Sequence, residues 1–136
     1  MCDGLIGIAD AGLGPPNAGP IGWETYQPIT QLWLYKYYGD LQTMADSFNQ
    51  TLAYMKLLDA NPPGLDGGLG DWMPVQNTKS SYTGPGFQHM SYLAFANITE
   101  LLGHPDLAAT YRAKASKIAD ALNTQFLNMT TGRITV

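Results

Sequence analysis

The sequence predicts an all-α chain of antiparallel helical hairpins, the building unit of an (α/α) barrel. Three observations predict it. Four helical patterns follow one another along the chain. They alternate between apolar all round and amphipathic. The Gly- and Pro-rich breaks between them stand where helix termini need them. A ring of hairpins with inner first helices and outer second helices makes that alternating demand. A four-helix bundle, the alternative, would present four similar amphipathic helices.

The lead-in covers residues 1–27 and is rich in Gly, Pro and Ala, with Gly14-Pro15-Pro16 and Gly19-Pro20 as breaks. The first hairpin is expected over 28–58. Its first helix runs from Pro28 to Tyr38. Ile29, Leu32, Trp33, Leu34, Tyr35, Tyr37 and Tyr38 leave almost no polar face, so it reads as a buried helix that Gly39 stops. Its second helix runs from Leu41 to Leu58. Leu41, Met44, Ala45, Phe48, Leu52 and Met55 form one stripe, with Asp46, Asn49, Gln50 and Lys56 off it.

A loop over 59–85 follows, opened by Asn61-Pro62-Pro63-Gly64 and closed by Pro85. Loops of this length inside a compact domain are usually functional or disordered, and Trp72, Met73 and Tyr82 argue for order. The second hairpin spans 86–127. Its first helix, Gly86 to Leu102, carries Glu100 as its single formal charge and reads as buried. Gly103 stops it and Pro105 starts the next. That last helix has the stripe Leu107, Tyr111, Ala115, Ile118, Leu122 and Phe126, with Arg112, Lys114, Lys117 and Asp120 facing away. Residues 128–136 form a tail.

Composition narrows the function classes. The chain has 136 residues, of which 45% are hydrophobic and only 13% charged. That charge share is low for a self-contained domain and fits a segment covered by the rest of a larger protein. The net charge is −4 with only 7 basic residues, and no basic cluster invites nucleic acid. No apolar run approaches the roughly 20 residues of a membrane span. Met1–Gly14 lacks the positive charge that opens a secretory leader. Cys2 is alone, and His89 and His104 are isolated, so neither metal nor cofactor is expected. His89 is expected to be a hydrogen-bonded inner-helix residue and His104 a helix-junction residue. Three Asn-X-Thr sequons occur, at Asn49, Asn97 and Asn128. They lean towards an extracellular setting without fixing it, and Asn97 lies on a helix expected to be buried.

Two loops carry the chemical signal. Gly68-Leu69-Gly70-Asp71-Trp72 sets a carboxylate beside an indole after glycines that let the backbone approach a ligand. Asp71 offers two acceptor oxygens for sugar hydroxyls, and Trp72 a flat face for the C–H side of a sugar ring. Trp23-Glu24 repeats the pairing. The competing reading is structural: Asp71 capping a turn, the tryptophans in the core and Glu24 in solvent. In the barrel arrangement both loops precede inner helices and lie on one side, where helix N-termini present unpaired N–H groups to oxygen-rich ligands.

These residues, in this order, resemble the catalytic domain of the α-L-rhamnosidases of the six-hairpin glycosidase class. The resemblance runs from Gly22-Trp23 through Tyr38-Gly39-Asp40 to Gly68-Leu69-Gly70-Asp71-Trp72. It continues with Thr83-Gly84, Leu102-Gly103, and Tyr111, Ala115, Asn123 and Phe126 of the last helix. It implies an (α/α)6 barrel of which this chain supplies about two of six hairpins. It also implies inverting hydrolysis of terminal non-reducing α-L-rhamnose from rhamnosides. Inversion uses two carboxyl groups roughly 6.5–9.5 Å apart. The family's general acid precedes the Gly-Trp helix and its base follows the last helix here. No catalytic residue is therefore expected in this chain, and the fragment alone should be inactive. The expected substrate-binding residues are Asp71, Trp72, Trp23 and Glu24. Many relatives have Gly-Asp after the first Trp, where this chain has Glu24-Thr25. A carboxylate role there requires Glu24 to serve from a position shifted by one.

The expected partners are a rhamnose-containing glycoside or polysaccharide and the remainder of the catalytic domain. The alternatives are another (α/α)-barrel glycosidase or polysaccharide lyase fragment, or a non-catalytic helical interaction module. The module would show residue-level similarity between 28–58 and 86–127, and only patterning is shared.

Overall fold

The computed structural model of the protein describes residues 25–60 and 80–134. Its elements are α1 (Tyr26–Tyr38), α2 (Leu41–Asp46), α3 (Phe48–Ala60), α4 (Ser80–Leu101), α5 (Pro105–Phe126), β1 (Leu127–Asn128) and β2 (Arg133–Ile134). The chain is all-α in its packed part, with antiparallel helices, as the sequence predicts.

Local chemistry sets most boundaries. Gly39 ends α1 in the left-handed region at φ 69°, where its N–H donates to the Tyr35 carbonyl at 2.8 Å. Asp40 then caps α2, accepting from the Thr43 N–H at 2.9 Å and the Thr43 hydroxyl at 2.6 Å. These bonds hold its carboxyl below the usual range. Gly103 (φ 81°) ends α4, and Pro105 opens α5.

Two boundaries differ from expectation. The helix expected over 41–58 bends at Ser47, whose hydroxyl donates to the Thr43 carbonyl at 2.6 Å and whose backbone leaves helical geometry. A serine hydroxyl bonding back to its own helix tends to bend it, and here the ladder continues through the bend, with the Ser47 N–H donating to the Thr43 carbonyl at 3.1 Å and the Thr51 N–H to the Ser47 carbonyl at 3.0 Å. The other difference is that α4 begins at Ser80, so Gly84, Pro85 and Gly86 lie inside a helix. Pro85 lies inside α4, past the four leading N–H groups that lack an intrahelical partner, so it removes one bond of the backbone ladder. Gly84 and Pro85 are both buried, so packing prevails over local preference.

The core joins α3, α4 and α5: Tyr54, Met55 and Leu58; Tyr92, Phe95 and Ala96; Tyr111 and Ala115. Phe95 is fully buried and meets Tyr111 edge-on, with ring centroids 4.8 Å apart. Small residues at Ala96 and Ala115 let α4 and α5 approach closely. The expected α5 stripe is present, with Tyr111, Ala115 and Phe126 buried and Leu107, Ile118 and Leu122 half-buried.

Contacts fix the helix directions. Gln31 of α1 bonds Thr51 of α3, while Tyr38 and Leu41 adjoin through the short turn, so α1 and α3 are antiparallel. Asp59 of α3 meets Tyr92 of α4, while Phe48 meets Phe95 and His104, so α3 and α4 are antiparallel. Helices α1 and α4 therefore run the same way and pack on each other, with Tyr26 and Ser80 at one end. Helix α5 returns against α4.

Three expectations about exposure are corrected. Helix α1 is not buried: Pro28 and Gln31 are its buried residues, while Trp33 is 58% and Tyr37 70% exposed. It packs on α4 and α2, and Gln31 bonds Thr51 of α3. Helix α4 exposes Met90, Leu93, Asn97, Glu100 and Leu101 among its described side chains, so Asn97 faces solvent. Lys114 turns back onto Asp59 rather than into water.

Candidate functional site

The four expected sugar-binding residues, Trp23, Glu24, Asp71 and Trp72, lie outside the described residues. The structure does describe the two helices that follow them in sequence. Helix α1 opens two residues after Glu24, and α4 opens eight residues after Trp72. The two are neighbours and parallel, so their unpaired N–H groups and the positive ends of their dipoles share one end of the molecule.

A polar cluster that sequence reading missed joins the end of α3 to the middle of α4 and the first half of α5. Asp59, in the last turn of α3, accepts from the Tyr92 hydroxyl at 2.7 Å, the Tyr111 hydroxyl at 3.0 Å and Lys114 Nζ at 2.6 Å. Gln88 Nε2 donates to the Tyr92 oxygen at 2.9 Å, extending the network along α4. Lys114 Nζ also lies over the Tyr111 ring, 4.5 Å from its centroid. A carboxylate in a last helical turn opposes the helix dipole, and that was the available signal that Asp59 needs partners.

Partial burial alone would raise the Asp59 pKa. The bonds from Lys114, Tyr92 and Tyr111 outweigh it and hold the carboxyl below its ordinary range. Burial first, and then the Asp59 charge, push both tyrosine hydroxyls up. A glycosidase general acid needs the opposite shift, a carboxyl kept protonated near neutrality. Asp59 is therefore an ionised anchor joining α3 to the α4–α5 pair.

The other described carboxylates are also accounted for. Asp40 caps α2, Glu100 pairs with Arg112, Asp46 accepts from Gln42 at 2.8 Å, and Asp106 and Asp120 face solvent. His89 bonds the Ala115 carbonyl through Nδ1 at 2.9 Å, as expected for a hydrogen-bonded inner-helix residue. A carbonyl can only accept, so Nδ1 carries the proton. His104 stacks on Phe48 at the α4–α5 junction, with centroids 5.1 Å apart. Among the described residues no group of three His, Cys, Asp or Glu side chains could hold a metal, and no helix is long and apolar enough to cross a membrane.

The chain is similar in sequence and fold to known proteins. The model of the bacterial α-L-rhamnosidase six-hairpin glycosidase domain matches residues 10–136. An α-L-rhamnosidase of Streptomyces avermitilis is 30% identical over 131 residues, covering 92% of this chain and 12% of that protein. The solved structure of α-L-rhamnosidase from Dictyoglumus thermophilum superposes with a TM-score of 0.67 at 25% identity, covering 84% of this chain and 14% of that one. The chain thus spans about an eighth of the relatives' length. The family model takes in nearly the whole chain, and the parallel α1 and α4, with α3 and α5 returning against α4, are part of a six-hairpin barrel. The chain belongs to the bacterial α-L-rhamnosidase six-hairpin glycosidase family.

Proposed function

We propose that this chain forms part of the sugar-binding wall of an enzyme that removes terminal non-reducing α-L-rhamnose from rhamnosides with inversion. The single observation that carries the reading is the shared end of α1 and α4. Each of these helices follows a segment with an indole beside an acid, Trp23-Glu24 and Asp71-Trp72. Helix N-termini favour oxygen-rich ligands, and indole faces suit the C–H side of a pyranose. Asp71 and Glu24 supply acceptors for ring hydroxyls, Trp72 and Trp23 the stacking faces.

The two catalytic carboxyl groups belong to the remainder of the domain, which is the chain's first partner. Asp59, held ionised with its oxygens engaged, does not substitute for either. The purified chain should therefore release no aglycone from an aryl α-L-rhamnoside, and measurable turnover would overturn the division of labour proposed here. Calorimetric titration with L-rhamnose tests the binding half. Asp71→Ala and Trp72→Ala should each weaken binding about tenfold, the loss of one charged hydrogen bond or one stacking face. Unchanged affinity in both variants would remove the sugar site from this segment.

A further inference from the structure

The three Asn-X-Thr sequons sit in different surroundings. A glycan-transferring enzyme that acts on the folded chain reads the hydroxyl two residues after the asparagine as well as the carboxamide, so both must be reachable. After Asn49, Thr51 is fully buried within α3. Its hydroxyl accepts from Gln31 Nε2 at 2.7 Å and donates to the Ser47 carbonyl at 3.0 Å. After Asn97, Thr99 is also fully buried, its hydroxyl donating to the Ala96 carbonyl at 2.9 Å. The Asn97 Oδ1 is itself engaged, accepting from Arg112 at 3.2 Å.

All three asparagines are exposed, and Asn128 differs in that its sequon threonine is exposed too. Asn128, Met129 and Thr130 are all exposed, in the turn that joins β1 to β2. The Gly132 N–H closes that turn on the Asn128 carbonyl at 2.8 Å. Asn128 Oδ1 accepts from the Thr130 N–H at 3.0 Å and the Thr131 N–H at 3.1 Å. Both partners are donors, so the oxygen is the carboxamide atom that faces the backbone, and Nδ2 turns the other way.

We propose that Asn128 is the N-glycan acceptor of this chain and that Asn49 and Asn97 are not. The donor is an oligosaccharide linked to a polyprenyl diphosphate. A bond forms between Asn128 Nδ2 and the anomeric carbon. The bond from that carbon to the diphosphate oxygen breaks, and the diphosphate leaves with the electron pair. Nδ2 gives up one proton, and no oxidant or reductant takes part. A glycan at this turn projects into solvent and displaces no buried group. The proposal is independent of the rhamnoside reading.

Trypsin separates the sequons into three peptides, Tyr37–Lys56, Ser80–Arg112 and Ile118–Arg133. Mass spectrometry of the protein from its native cells, before and after peptide N-glycosidase, reads each one. The expected result is a glycan on Ile118–Arg133 alone, with enzymatic release converting Asn128 to aspartate. Asn128→Gln should abolish it. Thr130→Ala should abolish it too, while keeping the carboxamide and both of its backbone bonds. An unmodified Ile118–Arg133, a glycan that survives Thr130→Ala, or a glycan on either other peptide would overturn the proposal.

Discussion

Asp59 shows how one side chain joins elements that local sequence cannot connect. It lies 55 residues from Lys114, 52 from Tyr111 and 33 from Tyr92, yet it bonds all three. No short-range pattern reports such a contact, whereas Gly39 and Gly103 were legible as helix stops because their requirement is local. Asp59→Ala leaves two largely buried hydroxyls and a half-buried ammonium without their acceptor. It should cost about 2–3 kcal/mol in denaturant unfolding, with Asn recovering part of it.

The pH dependence follows from the sign of the shift. The folded Asp59 pKa lies below its unfolded value, near 3.8, so its contribution is fully present above that pH and is lost as pH falls through the folded value. The acid limb of the stability profile below about pH 4 should be shallower in Asp59→Asn than in the parent. Identical limbs would mean that Asp59 carries no linked proton.

At the scale of elements, apolar spacing located α5 and the first part of α4–α5 packing well, and it located the α2–α3 stripe in part. Met44 and Met55 are buried, but Leu41 and Ala45 are exposed and Ser47 bends the helix. The start of α4 was missed because Gly84-Pro85-Gly86 reads locally as a break, and only burial of that turn shows what holds it helical. Helix α1 was misjudged for another reason. Apolarity says that a face needs covering, and says nothing of which neighbour covers it.

The α4–α5 junction gives the clearest test at this scale. Gly103 holds φ 81°, and a Cβ there meets no neighbouring atom. The cost of Gly103→Ala should therefore come from backbone strain alone, about 1–2 kcal/mol by thermal or denaturant unfolding, with the far-ultraviolet helix signal retained. A neutral substitution would contradict the left-handed cap.

At the scale of the whole molecule, two apolar faces are exposed among the described residues: Tyr26, Trp33 and Tyr37 on α1, and Met90, Leu93 and Leu101 on α4. Exposed apolar stripes of this extent mark surfaces that associate. The purified chain should self-associate in a concentration-dependent way by sedimentation velocity. Trp33→Ser with Tyr37→Ser should suppress this while changing stability by less than about 0.5 kcal/mol, the ordinary effect at exposed sites. A parent chain that stays monomeric at high concentration would show these faces to be inert.

The proposed sugar-binding residues rest on residue chemistry, an acid beside an indole in two segments. The inner-outer alternation predicts that α1 and α4 start at a common end, and the contacts through α3 bear this out. The claim that these two segments act together is tested most directly by the indole N–H resonances. The chain has three tryptophans. Titration with L-rhamnose, followed by proton–nitrogen NMR, should move the Trp23 and Trp72 signals along one saturation curve and leave Trp33, on the exposed face of α1, in place. Movement of Trp33 instead, or separate curves for Trp23 and Trp72, would contradict the account.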